Sequence, residues 1–247
     1  MNRYVVTFDV DWVSDWAIRS VAEIMEQNDV KSTWFITHDS PAIRWLIKRP
    51  DLFEVGIHPN MLAGTTQGRT EEEVFAYMKR IVPKAQVVRT HGLVFSNALM
   101  KNLILKYGIQ FDSSVLLFES ANIEPHLRYY KETQTPLVRL PYFWEDSIEI
   151  LKPTPIFNFS NMKYHVPGLK IFDFHPVHVI LNSSDLQPYN WCKEKIRVEH
   201  INEANTGMIM NHNMGTRSLL EDLVKYIKHN NGRGYTLSEI AHEWLER

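Results

Sequence analysis

The chain has 247 residues, of which 44% are hydrophobic and 23% charged, so it excludes an extended disordered polymer and can bury a full core. Its formal net charge of -2 provides no electrostatic footprint for nucleic acid or an anionic membrane surface. A single cysteine, Cys192, excludes an internal disulfide and any thiolate-rich metal site. The absence of a spanning-length apolar run and of a basic-then-apolar leader makes a cytoplasmic, reducing location the expectation.

The first apolar run, "VVTFDVDW" (5–12), reads as a strand. Residues i and i+2 of a strand share a face, so Asp9 and Asp11 are expected to point the same way at its end. Two carboxylates so placed repel unless a cation sits between them. "SDWAIRSVAEIMEQNDV" follows with Ile18, Val21, Ala22, Ile24 and Met25 at helical spacing and Ser14 or Asp15 as the cap, completing a βα unit. "KSTWFIT" (31–37) is a second strand, 41–48 a short helix opened by Pro41, and "LFEVGIH" (52–58) a third strand. "RTEEEVFAYMKRIV" is a helix capped by Thr70 with acids in its first turn.

"QVVRTHG" (86–92) is the fourth strand, and "SNALMKNLILKYG" a helix stopped at Gly108. "IQFDSS" is the fifth strand and "LVRLPYFWED" (137–146) the sixth. "GLKIFDFHPVHVIL" (168–181) reads as the strongest late strand, with excursion loops before it and, after "NSSDLQPYN", two closing helices. The second of these, "TLSEIAHEWL", carries a Thr236/Glu239 capping box. Sustained alternation of strands and helices predicts a parallel α/β fold, and with no linker or repeat residues 1–247 are expected to form one domain.

Polar residues recur at the predicted strand ends: Asp9, Asp11, His58, Arg89, His91, His175 and His178. In parallel α/β folds that edge carries ligands and chemistry. Two carboxylates with several imidazoles and no thiols suit one divalent ion, Zn²⁺ before Ca²⁺. One carboxylate then has the task of holding the ion and the other of taking a proton from water.

These strings resemble the motifs of the NodB-type polysaccharide deacetylases (carbohydrate esterase family 4). "VTFDVDW", "GIHPN", "RTHG", "LPYFWED" and "FDFHPVH" stand in the family's order over residues 5–181. The resemblance implies a distorted (β/α)₇ barrel, a divalent metal and hydrolysis of the acetamide of an N-acetylated sugar. It implies Asp9 as base, Asp11 and His58 as metal ligands, Arg89 as the residue orienting the base, and His175 as general acid. Tyr142 and Trp144 are implied as walls of the sugar subsite.

The family's second metal histidine is replaced by Leu62. His91 is preferred as third ligand over the carbonyl of Asn60, because imidazole is the better zinc ligand. His178, His212 and Asn60 are further candidates for substrate contact. The combination is most similar to the WbmS-type branch, associated with bacterial surface-polysaccharide (O-antigen) gene clusters. That implies an N-acylated saccharide or a nucleotide sugar as partner, with no nucleic acid and no membrane insertion. The alternatives are a hydrolase of a non-sugar amide or cyclic imide, and an inactive saccharide-binding protein.

Overall fold

The computed structural model describes residues 3–247. Strand β1 (Arg3–Asp9) leads to α1 (Asp15–Gln27), β2 (Ser32–Ile36), α2 (Pro41–Ile47), β3 (Phe53–Ile57), α3 (Glu71–Ile81) and β4 (Val87–Val88). Next come α4 (Asn97–Leu105), β5 (Phe111–Asp112), β6 (His126–Arg128), β7 (Leu137–Arg139), β8 (Trp144–Glu145) and α5 (Asp146–Ile150). The remainder is β9 (Leu169–Phe174), α6 (Pro176–Leu181), α7 (Gln187–Lys195), α8 (Glu203–Thr206), α9 (Thr216–Asn231) and α10 (Leu237–Leu245).

Among the described residues the strands lie in the order β6-β7-β5-β4-β3-β2-β1-β9-β8, and every pairing is parallel except β6 with β7. The sheet curls into the distorted (β/α)₇ barrel expected from the sequence. The stretch between β7 and β8 bridges the gap: Tyr142 pairs with Leu116, and Phe143 N donates to Ile171 O. Alternation along the strands divides the side chains. Val5, Phe35, Val87, Phe111, Val138 and Ile171 form one buried cluster inside the barrel with Leu237, Ile240 and Ala241 of α10. Val6, Phe8, Trp34, Phe172 and Phe174 belong to the larger cluster beneath the surrounding helices.

Several local readings hold. Ser14 Oγ accepts from Ala17 N, Thr70 caps α3, and Thr236 with Glu239 forms the capping box of α10. Gly108, with φ of 62°, turns the chain after α4 in the left-handed region where a side chain is disfavoured.

Other readings are corrected. β1 stops at Asp9, and Asp11 (φ 43°) and Trp12 (φ 56°) are both left-handed, so a turn and not strand alternation aims Asp11. The stretch 137–146 is two short strands, because it crosses from one neighbour to another and pairs only at its ends. The stretch 168–181 is β9 followed by α6, since Pro176 fits the first helical turn and a short apolar run does not distinguish a buried helix from a strand. The reading of two closing helices omits α7 and α8, which lie within 182–215.

Candidate active site

The C-terminal ends of the parallel strands converge on a cleft of about 330 Å³ lined by Asp9, Asp11, His58, His91, Tyr142 and His175, among others. Its floor is Arg89, fully buried at the end of β4. The guanidinium donates to Asp9 Oδ1 at 2.9 Å, to Thr7 Oγ1 at 3.0 Å and to Asp173 Oδ1, while Nε and Nη2 reach Ser113 O and Oγ at 3.1 Å. Its faces lie 4.5 Å from the Phe35 ring and 4.3 Å from the Tyr142 ring. Burial works against this charge, but Asp173 and Asp9 outweigh it and hold Arg89 above its ordinary value. Asp9 is thereby fixed in position by a charge-assisted bond.

Above the floor, three ligand atoms face one another. His58 Nε2 lies 3.4 Å from Asp11 Oδ1, His91 Nδ1 lies 3.2 Å from the same oxygen, and the two imidazole nitrogens are 3.2 Å apart. Ligands about 2.0–2.1 Å from a tetrahedral ion stand about 3.3 Å from one another, so the spacing fits one ion. Among the described residues Asp11 Oδ1 is buried with no hydrogen-bond partner, and it faces the His58 and His91 nitrogens as one of three candidate ligand atoms. His58 Nδ1 donates to the Arg89 carbonyl at 2.7 Å, which leaves the Nε2 lone pair for the ligand position.

On the far side, β9 ends at His175. Both oxygens of Asp146 are committed to this residue, one accepting from Nδ1 at 2.7 Å and the other from its backbone N at 2.8 Å. His175 Nε2 then faces the cleft, 3.6 Å from Asp11 Oδ2. Burial alone would depress the imidazole, but Asp146, Asp11 and Asp173 together raise it well above the ordinary histidine value. That shift favours a proton on the ring, at the face turned to the cleft.

The structure thus gathers Asp9, Asp11, His58, Arg89, His91, Tyr142, His175 and His178 at one cleft. It does not bring in the rest. Trp144 is fully buried, its indole donating to Glu149 Oε2 at 3.1 Å and packing on Phe172 and Phe174; outward alternation puts it in the core, not at a sugar subsite. Asn60 is a turn device, its Oδ1 accepting from Leu62 N at 2.8 Å, and it is not among the residues lining the cleft, whereas His91 is. His212 is exposed on a loop outside the residues lining the cleft. His178 sits on α6, not on a strand, its Nδ1 3.1 Å from Ser183 Oγ, and burial pushes it down to about 4.

Two carboxylates escaped the sequence reading. Asp173 precedes His175 by two positions and so shares its side of β9, a signal present in "FDFH". Asp146 follows β8 directly, another acid at a strand end. Gln67, 3% exposed, is a third omission: its amide nitrogen donates to Thr37 O and His58 O, and its oxygen accepts from Asn60 N. It fixes the loop after His58.

The chain matches the WbmS-like polysaccharide deacetylase family over residues 6–193. It is similar in structure to a Bordetella bronchiseptica protein, WbmS, assigned as a polysaccharide deacetylase involved in O-antigen biosynthesis. That likeness has 28% identity and a TM-score of 0.79, covering 91% of this chain and 90% of the other. In fold alone it also resembles a CE4 family pseudoenzyme of Bacillus anthracis, with 12% identity, a TM-score of 0.50, and 96% and 64% of the two chains covered. The peptidoglycan N-acetylglucosamine deacetylase Bc1960 is similar at 12% identity and a TM-score of 0.50, over 96% and 87%. No curated protein matches. Among the described residues no helix is long and apolar enough to cross a membrane. With the match running from within β1 to within α7, the chain belongs to the WbmS-like polysaccharide deacetylases.

Proposed function

We propose that the chain is a metal-dependent hydrolase that removes an N-acyl group, acetyl first among them, from an amino sugar or its nucleotide-linked form in surface-polysaccharide synthesis. The observation that carries this reading is the ligand triangle of Asp11, His58 and His91 set between a carboxylate fixed by Arg89 and an imidazole held by Asp146. One nitrogen-rich, thiol-free donor set of this size suits Zn²⁺. A divalent ion held there would supply Lewis acidity toward the acyl oxygen and toward water.

The chain's own residues do the remaining work. Asp9, oriented by Arg89, takes the proton from the attacking water. His175 Nε2 delivers a proton to the departing amine, and Asp146 holds the ring to that task. Leu93, Leu151 and Val177 add apolar surface to the cleft wall.

The test is metal content per chain by elemental analysis, on protein purified without affinity-tag metal, together with acetate release from N-acetylhexosamines. Wild type is expected to carry about one zinc-like ion, with His58→Ala and His91→Ala losing it. Asp9→Asn is expected to keep the ion and lose about 10²–10⁴-fold in turnover. A wild-type chain still empty after zinc is supplied overturns the mechanism. Metal with ligand binding but no acetate release would favour a saccharide-binding protein instead.

A further inference from the structure

One wall of the cleft lies outside the residues given a task above. It is built by the segment after α6, from which Leu186, Tyr189 and Val198 line the cavity. The segment is fastened to the barrel. Ser14 N donates to Val198 O at 3.3 Å, Ser14 Oγ donates to Ile201 O at 2.5 Å, and Cys192 of α7 is fully buried. The ring of Tyr189 lies 4.9 Å from that of His178, which lies 5.9 Å from that of His175.

His178 is itself held still. Its Nδ1 meets Ser183 Oγ, and the Ser183 carbonyl accepts from Thr216 N at 3.0 Å and Thr216 Oγ1 at 2.9 Å. This leaves the Nε2 of His178 and the hydroxyl of half-buried Tyr189 without a protein partner among the described residues. Both polar tips face the cleft that Tyr189 and His178 line, where a ligand hydroxyl or water can reach them.

We propose that Tyr189, with His178 beside it, is a substrate-binding residue that hydrogen-bonds a neutral ring hydroxyl of the saccharide, and so selects which sugar sets its acyl group over Asp11, His58 and His91. The proposal rests on the N-acyl-sugar reading above. Both groups are uncharged at neutral pH: burial lowers His178, and burial together with the nearby Asp11 raises the phenol of Tyr189. An uncharged pair offers a donor and an acceptor to a hydroxyl and little to a phosphate or carboxylate.

Tyr189→Phe keeps the ring packing and removes only the hydroxyl. The probes are N-acetylglucosamine, N-acetylgalactosamine, their UDP esters and N,N′-diacetylchitobiose, offered to metal-free full-length protein in calorimetric titrations and to zinc-supplied protein for acetate release. Tyr189→Phe is expected to bind the preferred probe about tenfold more weakly and to lose about tenfold in kcat/KM through KM, with metal content and Tm unchanged. One monodeoxy analogue of that sugar is expected to bind wild type and variant equally. Wild-type-like binding and kcat/KM in Tyr189→Phe, within twofold, overturns the assignment and leaves the N-acyl-sugar reading standing. A wild-type chain that neither binds nor hydrolyses any probe overturns that reading, and the Tyr189 assignment with it.

Discussion

The two ends of the barrel treat their polar groups in opposite ways. At the N-terminal end, Glu54 of β3 accepts from Thr33 Oγ1 at 2.7 Å and from the backbone N of Leu237 and Ser238 at 3.0 and 3.3 Å, so it anchors α10 as a plug. At the C-terminal end, Asp11 Oδ1, Thr90 Oγ1 and Asp173 Oδ2 are buried with no hydrogen-bond partner among the described residues. Glu54 serves the fold with a carboxylate, whereas Asp11 leaves acceptor capacity at the cleft. Closure at one end lets the other stay polar and open, because the apolar interior is completed by Leu237, Ile240 and Ala241.

This contrast can be broken hardest at Arg89. Arg89→Leu strands Asp9 and Asp173 in the interior without their cation, and urea unfolding is expected to show a loss of about 3–5 kcal/mol. His178→Gln sharpens the contrast through pH. The folded value of His178 lies below the ordinary 6.5, at about 4, so as pH falls through that window the unfolded chain takes up a proton that the folded chain refuses. Stability from this group is complete above about pH 6.5 and is lost toward pH 4, by about 3 kcal/mol in all. The difference in unfolding free energy between wild type and His178→Gln should follow that curve. The mildest test is in the plug: Ile240→Val is expected to cost about 0.5–1.5 kcal/mol by thermal unfolding and to leave metal content and acetate release unchanged.

Most of the barrel was legible because its early βα units and its last helix carry cap signals and periodicity, as at Ser14, Thr70 and Thr236. Legibility failed where tertiary pairing overrides local pattern. The run ending "HPVHVIL" is apolar enough for a strand or a buried helix, and only the site of Pro176 distinguishes them. Asp9, His58, Arg89 and His175 could be found because each ends a strand. Trp144 misled because an aromatic in a motif gives no sign of the face it occupies; its alternation points outward into the helical layer. Tyr189 was invisible because its segment returns to the cleft only through three-dimensional contacts such as Ser14 with Val198 and Ile201.

Arg89 does two jobs with two different parts of itself: its carbonyl sets the proton of His58, and its side chain holds Asp9. The carbonyl is available to any residue at that position, whereas the guanidinium is not. Within the proposed mechanism, the presentation of a metal ligand and the orientation of the base therefore rest on separable parts of one residue. A side-chain substitution at Arg89 would release Asp9 while the backbone carbonyl went on presenting His58.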